Sequence, residues 1–321
     1  MIIGFGSLEI NKLDCFFRTG DPACARGESK PGLLLHHFDW SPYAEKVRVL
    51  LGIKQLPWRS VQIPTGGYRK TPVLQIGADV YCDTHCIARE LEARFPDRSL
   101  FPSGDVGVAL ALGTWADRFF EPGAGLSMSG NDDLPADLLR DRREFFSHMD
   151  FGSFAARRLH LAAQVVAQAA LVEDQLSDGR PWLTGAQPGL ADASAYYVFW
   201  MIRGFVPALL ERLASFRHVA GWEERVRALG HGDRSETTSE DALAIARAST
   251  AELPRGVVEA EAAGLRSGQR VHVTPDDYGK VPVTGELVGL DARRVSIRRR
   301  DERAGEVVVH FPRVGYVVEA A

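Results

Sequence analysis

Three dipeptides in this chain combine residue types that do chemistry with positions that expose them: Ser41-Pro42, Thr71-Pro72 and Asp83-Thr84. Serine is favoured as a helix N-cap and proline at the first helical position, so Ser41-Pro42 marks a helix start. A hydroxyl at the positive end of a helix stabilises a thiolate and lowers the pKa of a thiol that is about 8.5 when unperturbed. Thr71-Pro72 stands directly before the apolar run VLQI. Proline is excluded from strand interiors, and the bond before it adopts the cis form at little cost. A bend of that kind turns backbone N–H and C=O groups toward a cleft, where an extended peptide can pair with them. Asp83-Thr84 marks a second helix start. The unpaired N–H groups there favour a carboxylate, Thr84 adds a hydroxyl, and Asp83 suits an ammonium. A carboxylate beside an ammonium is the amino-acid end of a γ-glutamyl group. Plain helix capping competes with these roles for Ser41 and for Asp83-Thr84, and a purely structural turn competes for Thr71-Pro72.

Other reactive residues are weaker candidates. Tyr43 is an alternative partner for a sulfur atom. Cys82 and Cys86 flank His85, which raises metal binding or thiol–disulfide exchange. Their spacing is not C-x-x-C and no second Cys/His cluster stands elsewhere, so no metal is expected. Cys86 falls in a first helical turn, where a lowered pKa is expected. His36 and His37 end a strand and point to opposite faces, which suits structural roles. Arg298-Arg299-Arg300 are followed by Asp301, Glu302 and Glu306, which reads as a solvated strand edge that resists association.

The elements that hold these residues follow from apolar period. GLLLHHF suits a buried strand, and YAEKVRVLLGI places Val47, Leu50 and Leu51 on one helical face. WRSVQI is a second strand. PVLQIG and VYC, joined by turn residues, form a hairpin. A helix follows with Ile87, Leu91 and Phe95 inward, and Pro96 ends it. From Asp105 to about Ser249 the pattern is helical throughout, with a break at LSDGRPWLTGAQPG. Beyond Gly264 the period becomes two, and four or five short strands make a small barrel or curled sheet.

Composition limits the classes of function. The 321 residues carry a formal charge of -4 at pH 7 and contain 4 cysteines. That balance offers no general attraction to nucleic acid or anionic membrane. No apolar run approaches the roughly 18 residues a spanning helix needs, and MIIGFGSLEINKLD does not read as a secretory signal. A cytoplasmic location, with neither nucleic acid nor membrane as partner, is the expectation.

A family resemblance rests on several of these motifs together. The order of elements, Thr71-Pro72-Val73-Leu74, Asp83-Thr84, the helix with Leu91-Glu92 and Arg94-Phe95-Pro96, and Leu100-Phe101-Pro102 resemble the glutathione-binding domain of glutathione transferases. WLTG..PGLADASAYYVFW resembles the buried helix of that family's second domain, with Gly189 in place of the usual capping residue and Asp192 retained. The resemblance spans roughly residues 33–230. It implies a thioredoxin-like glutathione-binding domain (32–104) and a helical-bundle domain (105–252); with the composition and apolar periods of the rest, the chain reads as multidomain α/β, all-α and small-β, with a poorly ordered extension (1–31), a linker (253–263) and a small β-barrel (264–321). The resemblance also implies glutathione as co-substrate with no cofactor, a small hydrophobic electrophile, and a homodimer. Ser41 would be the catalytic residue. Thr71, Pro72 and Val73 would hold the cysteinyl part, and Asp83 and Thr84 the γ-glutamyl end. Trp115, Arg118 and Phe119 would line the acceptor pocket. The 63–71 connector is short for the family, which leaves Arg69 or Lys70 to meet the glycyl carboxylate. The expected activity is glutathione conjugation. The alternative is a non-catalytic scaffold or interaction protein acting through its C-terminal β region.

Overall fold

In the computed structural model the described residues are 32–63, 70–129, 136–252, 256–258 and 263–321. The 1–31 extension and most of the 63–71 connector and of the 253–263 linker lie outside them. The run Leu33–His37 forms β1, almost wholly buried, as a central strand covered on both faces must be. Ser41 then caps α1 (Pro42–Lys54), which crosses over to β2 (Pro57–Gln62), parallel to β1. On the other side of β1 lies β3 (Val73–Ile76), antiparallel, and it turns into β4 (Asp79–Cys82). Gly77 takes φ 62° in that turn, a backbone region open to glycine at no steric cost. α2 (Thr84–Arg94) follows. This is the thioredoxin-like unit.

The helical region comprises α3 (Val106–Ser129), α4 (Ala136–Phe145), α5 (Phe154–Leu176), α6 (Leu190–Phe205), α7 (Leu210–Leu213) and α8 (Arg217–Ala228). α6 is apolar around most of its circumference and buried from Leu190 through Phe199. Its start is held by Asp192, whose carboxylate accepts from the N–H groups of Leu183 (2.9 Å) and Gly189 (3.0 Å) and from Trp222 Nε1 (2.8 Å). Gly189 is needed at that cap, because a Cβ there would lie 2.8 Å from the Leu100 carbonyl oxygen.

One element departs from the helical expectation. Asp233–Glu236 forms β5, parallel to the outer edge of β2, before α9 (Ser239–Ala248). All four of its residues are exposed, so it carries no apolar period to read. Main-chain pairing places it, helped by Trp58 Nε1 donating to the His231 carbonyl at 2.7 Å.

The C-terminal strands are β6 (Gly256–Val257), β7 (Arg270–Pro275), β8 (Val283–Leu290), β9 (Arg294–Asp301), β10 (Gly305–Pro312) and β11 (Tyr316–Ala320). β7 to β10 meander antiparallel, and β11 returns to pair with β7. Val271, Val273, Leu287, Val295, Ile297 and Phe311 form their core. β10 also runs parallel to β4, with Val308 opposite Asp79 and His310 opposite Tyr81. The strand order is therefore β11-β7-β8-β9-β10-β4-β3-β1-β2-β5, one sheet through both regions. β5 and β10 cover the two edges that the thioredoxin-like strands would otherwise leave open to aggregation. A buried relay joins the sheet at the β4–β10 seam: Ser296 Oγ to His310 Nδ1 (2.8 Å), and His310 Nε2 to Asp79 Oδ1 (2.8 Å). Residues 32–321 form a single compact unit.

Candidate functional site

Strand register gathers the three dipeptides at one end of the sheet. Val73 lies opposite His36 on one side and opposite Cys82 on the other. Pro72 is therefore beside the exit of β1, which leads to Ser41, and beside the exit of β4, which leads to Asp83. The Thr71-Pro72 peptide bond is cis. Thr71 Oγ1 donates to the His36 carbonyl at 3.3 Å, which ties the bend to β1.

Ser41 sits in extended backbone (φ -78°, ψ 122°), and its Oγ accepts from the Ala44 N–H at 3.3 Å. The hydroxyl hydrogen is left to donate, so capping and a second hydrogen bond are compatible. Asp83 adopts φ 74°, uncommon for a residue with a Cβ. Such conformations persist where the surroundings enforce them, and they gather at functional sites. Its Oδ1 accepts from the His85 N–H at 2.8 Å. Burial raises the Asp83 carboxyl above its usual range, against the pull of the His85 N–H and of Lys46 and Lys70. Thr84, the first residue of α2, is buried beside it.

Two charged groups near Asp83 escaped the sequence reading. Lys46, on α1, is fully buried, and its Nζ has no hydrogen-bond partner among the described residues. It faces Asp117 and Asp83, and burial lowers its pKa. Asp117, on α3, accepts from the Tyr197 hydroxyl at 3.0 Å. It stays exposed to solvent over part of its surface. Burial there raises its carboxyl. The only signal in the sequence was a charge placed on an otherwise apolar helical face in each case. Burial first, then Lys46, pushes the His85 imidazole down to about 4, so it is neutral near neutral pH.

An aromatic cluster packs beside these groups. Tyr43 packs 5.0 Å from the rings of both Phe120 and Tyr197. Burial first, then the neighbouring Tyr197 and Tyr278, holds its hydroxyl well above the usual range. Phe119, expected in the acceptor pocket, is fully buried against Phe199 at 5.3 Å, and Trp115 stacks on it at 5.7 Å. Trp115 Nε1 donates to Gln168 of α5, and Arg118 is exposed. Phe120, Phe145 and Phe146 line this side instead. The sequence reading took Trp115, Arg118 and Phe119 for this side and did not name Phe120.

The remaining candidates are buried or already paired with neighbouring side chains. Cys82 and Cys86 are buried, and burial drives the Cys86 thiol well above its ordinary pKa, opposite to the lowering expected from a helix start. His37 is enclosed between Arg48 Nη1 (3.1 Å) and Ser60 Oγ (3.1 Å), and burial brings it to about 4. His36 reaches Gln75 Oε1 at 2.8 Å. Lys70 is ion-paired with Asp277 of the loop between β7 and β8; Arg69 lies outside the described residues. A shallow cavity of about 350 Å³ is bordered by Tyr196, Trp200, Arg203 and Arg227 and touches none of these groups.

Comparison with known proteins agrees with this architecture. The family model for the glutathione S-transferase N-terminal domain matches residues 35–99, and that for the C-terminal domain matches residues 154–229. A crystal structure of a GST-like protein from Pseudomonas syringae is 34% identical, covers 89% of this chain and 99% of its own, and superposes with a TM-score of 0.72. That coverage exceeds what residues 1–252 alone can supply, so the similarity extends into the C-terminal strands. A glutathione S-transferase from Ceriporiopsis subvermispora, in complex with glutathione, is 16% identical over 62% of this chain and 96% of its own, with a TM-score of 0.49. One from Methylobacterium radiotolerans, in complex with glutathione sulfonate, is 22% identical over 64% of this chain and 96% of its own, with a TM-score of 0.46. No curated protein matches the chain. With a thioredoxin-like unit bearing a cis proline, a helical region built on the capped helix α6, and a GST-like relative matched along nearly its whole length, this chain belongs to the glutathione S-transferase superfamily.

Proposed function

We propose that this protein binds glutathione at the sheet end shared by Ser41, Pro72 and Asp83, and activates its thiol for conjugation to a small hydrophobic electrophile. The observation that carries the reading is the cis Thr71-Pro72 bend, flanked by the starts of α1 and α2. Main-chain groups of Thr71 and Val73 hold the cysteinyl part of the tripeptide. The Asp83 oxygen not used in capping takes the γ-glutamyl ammonium, and Thr84 with the first amides of α2 takes the carboxylate. Ser41 donates its hydroxyl hydrogen to the sulfur. The thiol proton leaves to solvent, and the thiolate forms the new S–C bond either as a leaving group departs from the electrophile's carbon with its bonding pair or as a polarised double bond opens and its far carbon takes a proton from solvent. Fixing both reactants and stabilising the thiolate are the sources of rate. A hydrogen bond to a charged group is worth about 1.5–3 kcal/mol, which corresponds to roughly one to two pKa units. Ser41→Ala is expected to raise the pKa of bound glutathione by that amount, read from thiolate absorbance. An unchanged pKa removes Ser41 from the mechanism. Failure of the wild type to bind millimolar glutathione sinks the assignment.

A second reading is a non-catalytic scaffold acting through its C-terminal strands. It is supported by Tyr278 and Asp277, which reach from those strands to Tyr43 and Lys70. Turnover of a panel of electrophiles separates the two. The cytoplasmic homodimer that the family implies is part of the proposal, and sedimentation of the purified chain tests the dimer. No single helix among the described residues is long and apolar enough to cross a membrane.

A further inference from the structure

The loop joining β7 to β8 leaves the C-terminal sheet and packs beside the proposed thiol site. Asp277 forms an ion pair with Lys70, two residues before the cis proline. The next residue, Tyr278, lies under the same lysine, whose Nζ is 4.2 Å from the ring centre. Its ring packs against Phe145 (5.3 Å), Phe146 (5.1 Å) and His148 (5.6 Å), and its hydroxyl interacts with Tyr43, two residues after Ser41. Both Asp277 and Tyr278 lie within electrostatic reach of Asp83. The loop is stitched down at Gly279, whose N–H donates to the Phe145 carbonyl at 3.2 Å. At φ 58°, a Cβ on Gly279 would come within 2.5 Å of the Phe145 ring, so only glycine lets the loop lie this close to α4.

The contacts with Lys70 and Tyr43 fall beside groups that the proposed function gives to glutathione, because Lys70 precedes Thr71 and Tyr43 lies two residues after Ser41. Lys70 stands at the connector's end, where a cation would meet the glycyl carboxylate. In this structure it already holds a carboxylate, that of Asp277. The aspartate side chain has the same anionic end as the glycyl residue and the same preference for an ammonium partner.

Resting on the glutathione reading above, we propose that the β7–β8 loop is an autoinhibitory clasp: Asp277 stands in for the glycyl carboxylate on Lys70, and glutathione must displace it to seat fully. The C-terminal sheet then has a definite role. It is locked to β4 through β10 and presents a competing carboxylate to the thiol site from a fixed base. Any partner that draws the loop away raises affinity for the thiol without touching Ser41, Pro72 or Asp83.

Calorimetric titration of the full chain with reduced glutathione and with its glycyl monoethyl ester tests the clasp. Asp277→Asn removes the competing charge at an exposed position, where folding is little affected. It is expected to tighten glutathione binding about three- to tenfold. The ester lacks the anion that competes for Lys70, so its affinity is expected to change less than twofold. Gly279→Ala lifts the loop from Phe145 without altering Lys70 or Tyr43 and is expected to tighten binding in the same direction. Equal glutathione affinity for wild type and both variants overturns the clasp while leaving glutathione binding intact. An equal gain for glutathione and the ester also overturns it, because carboxylate competition is then not the cause. Binding by none of the three proteins overturns the glutathione reading itself, and the clasp with it.

Discussion

Replacing His310 with alanine cuts the seam between the C-terminal strands and the thioredoxin-like strands, and its cost can be worked from the contacts. With hydrogen on Nε2, the ring donates to Asp79 Oδ1 at 2.8 Å and accepts from Ser296 Oγ at 2.8 Å. It stacks on Tyr81 with ring centres 4.6 Å apart. Asp79, Ser296, Tyr81 and His310 are all buried, so water does not replace these partners readily. Without the ring, Asp79 keeps the Glu252 N–H at 2.8 Å on its other oxygen. A hydrogen bond to a carboxylate is worth about 1.5–3 kcal/mol and a neutral one about 1 kcal/mol. The stacked pair adds roughly 0.5–1.5 kcal/mol. The expected loss is therefore about 3–5.5 kcal/mol, or a fall in Tm of roughly 5–9 °C. Urea unfolding followed by circular dichroism measures it, with Asp79→Ala and the double variant completing a cycle. A coupling of about 1.5–3 kcal/mol between the two residues is expected. If His310→Ala costs under about 1 kcal/mol, or the two losses simply add, the relay does not hold the seam and its geometry has been misread as energy.

Three further outcomes follow from buried groups. Asp192 has its carboxyl raised by burial to about 6, above the unfolded value near 3.8, so it favours folding most below the unfolded pKa and loses that contribution as pH rises to about 6. Relative to Asp192→Asn, the wild type is expected to lose about 3 kcal/mol between those limits; parallel stability–pH curves would contradict this. At Gly52 a Cβ would lie 2.0 Å from the Gly230 carbonyl oxygen, a backbone atom that cannot swing aside. Gly52→Ala is therefore expected to cost about 1–3 kcal/mol by overpacking, and a wild-type Tm would disprove the close approach of α1 to that turn. Peptide mapping after treatment with a thiol reagent is expected to find Cys82 and Cys86 unlabelled in the native protein and labelled after denaturation. Rapid native labelling would reopen thiol–disulfide chemistry.

What the sequence determined by itself is local. Apolar period two or 3.6 marked the strands and helices, because each segment must turn one face from water wherever it ends up. Ser41, Asp83 and Gly189 marked helix starts, because the orphaned N–H groups of a first turn demand a cap or tolerate glycine. Pro72 marked a strand entry for a reason equally confined to its own residue. Tertiary structure alone decided the rest. β5 is polar on both faces, and only the unpaired edge of β2 makes it a strand. The pairing of β10 with β4 joins residues more than two hundred positions apart, as with Asp79 and His310. Lys46 and Asp117 became neighbours of Asp83 only when α1 and α3 came together. Asp277 and Tyr278 lie between two strand runs, and only the folded sheet carries that loop to Lys70. A side chain's neighbours within a helix or strand are set by chain geometry over a few residues. Its neighbours across the fold are set by which faces and edges remain to be buried, and no short window of sequence contains that information.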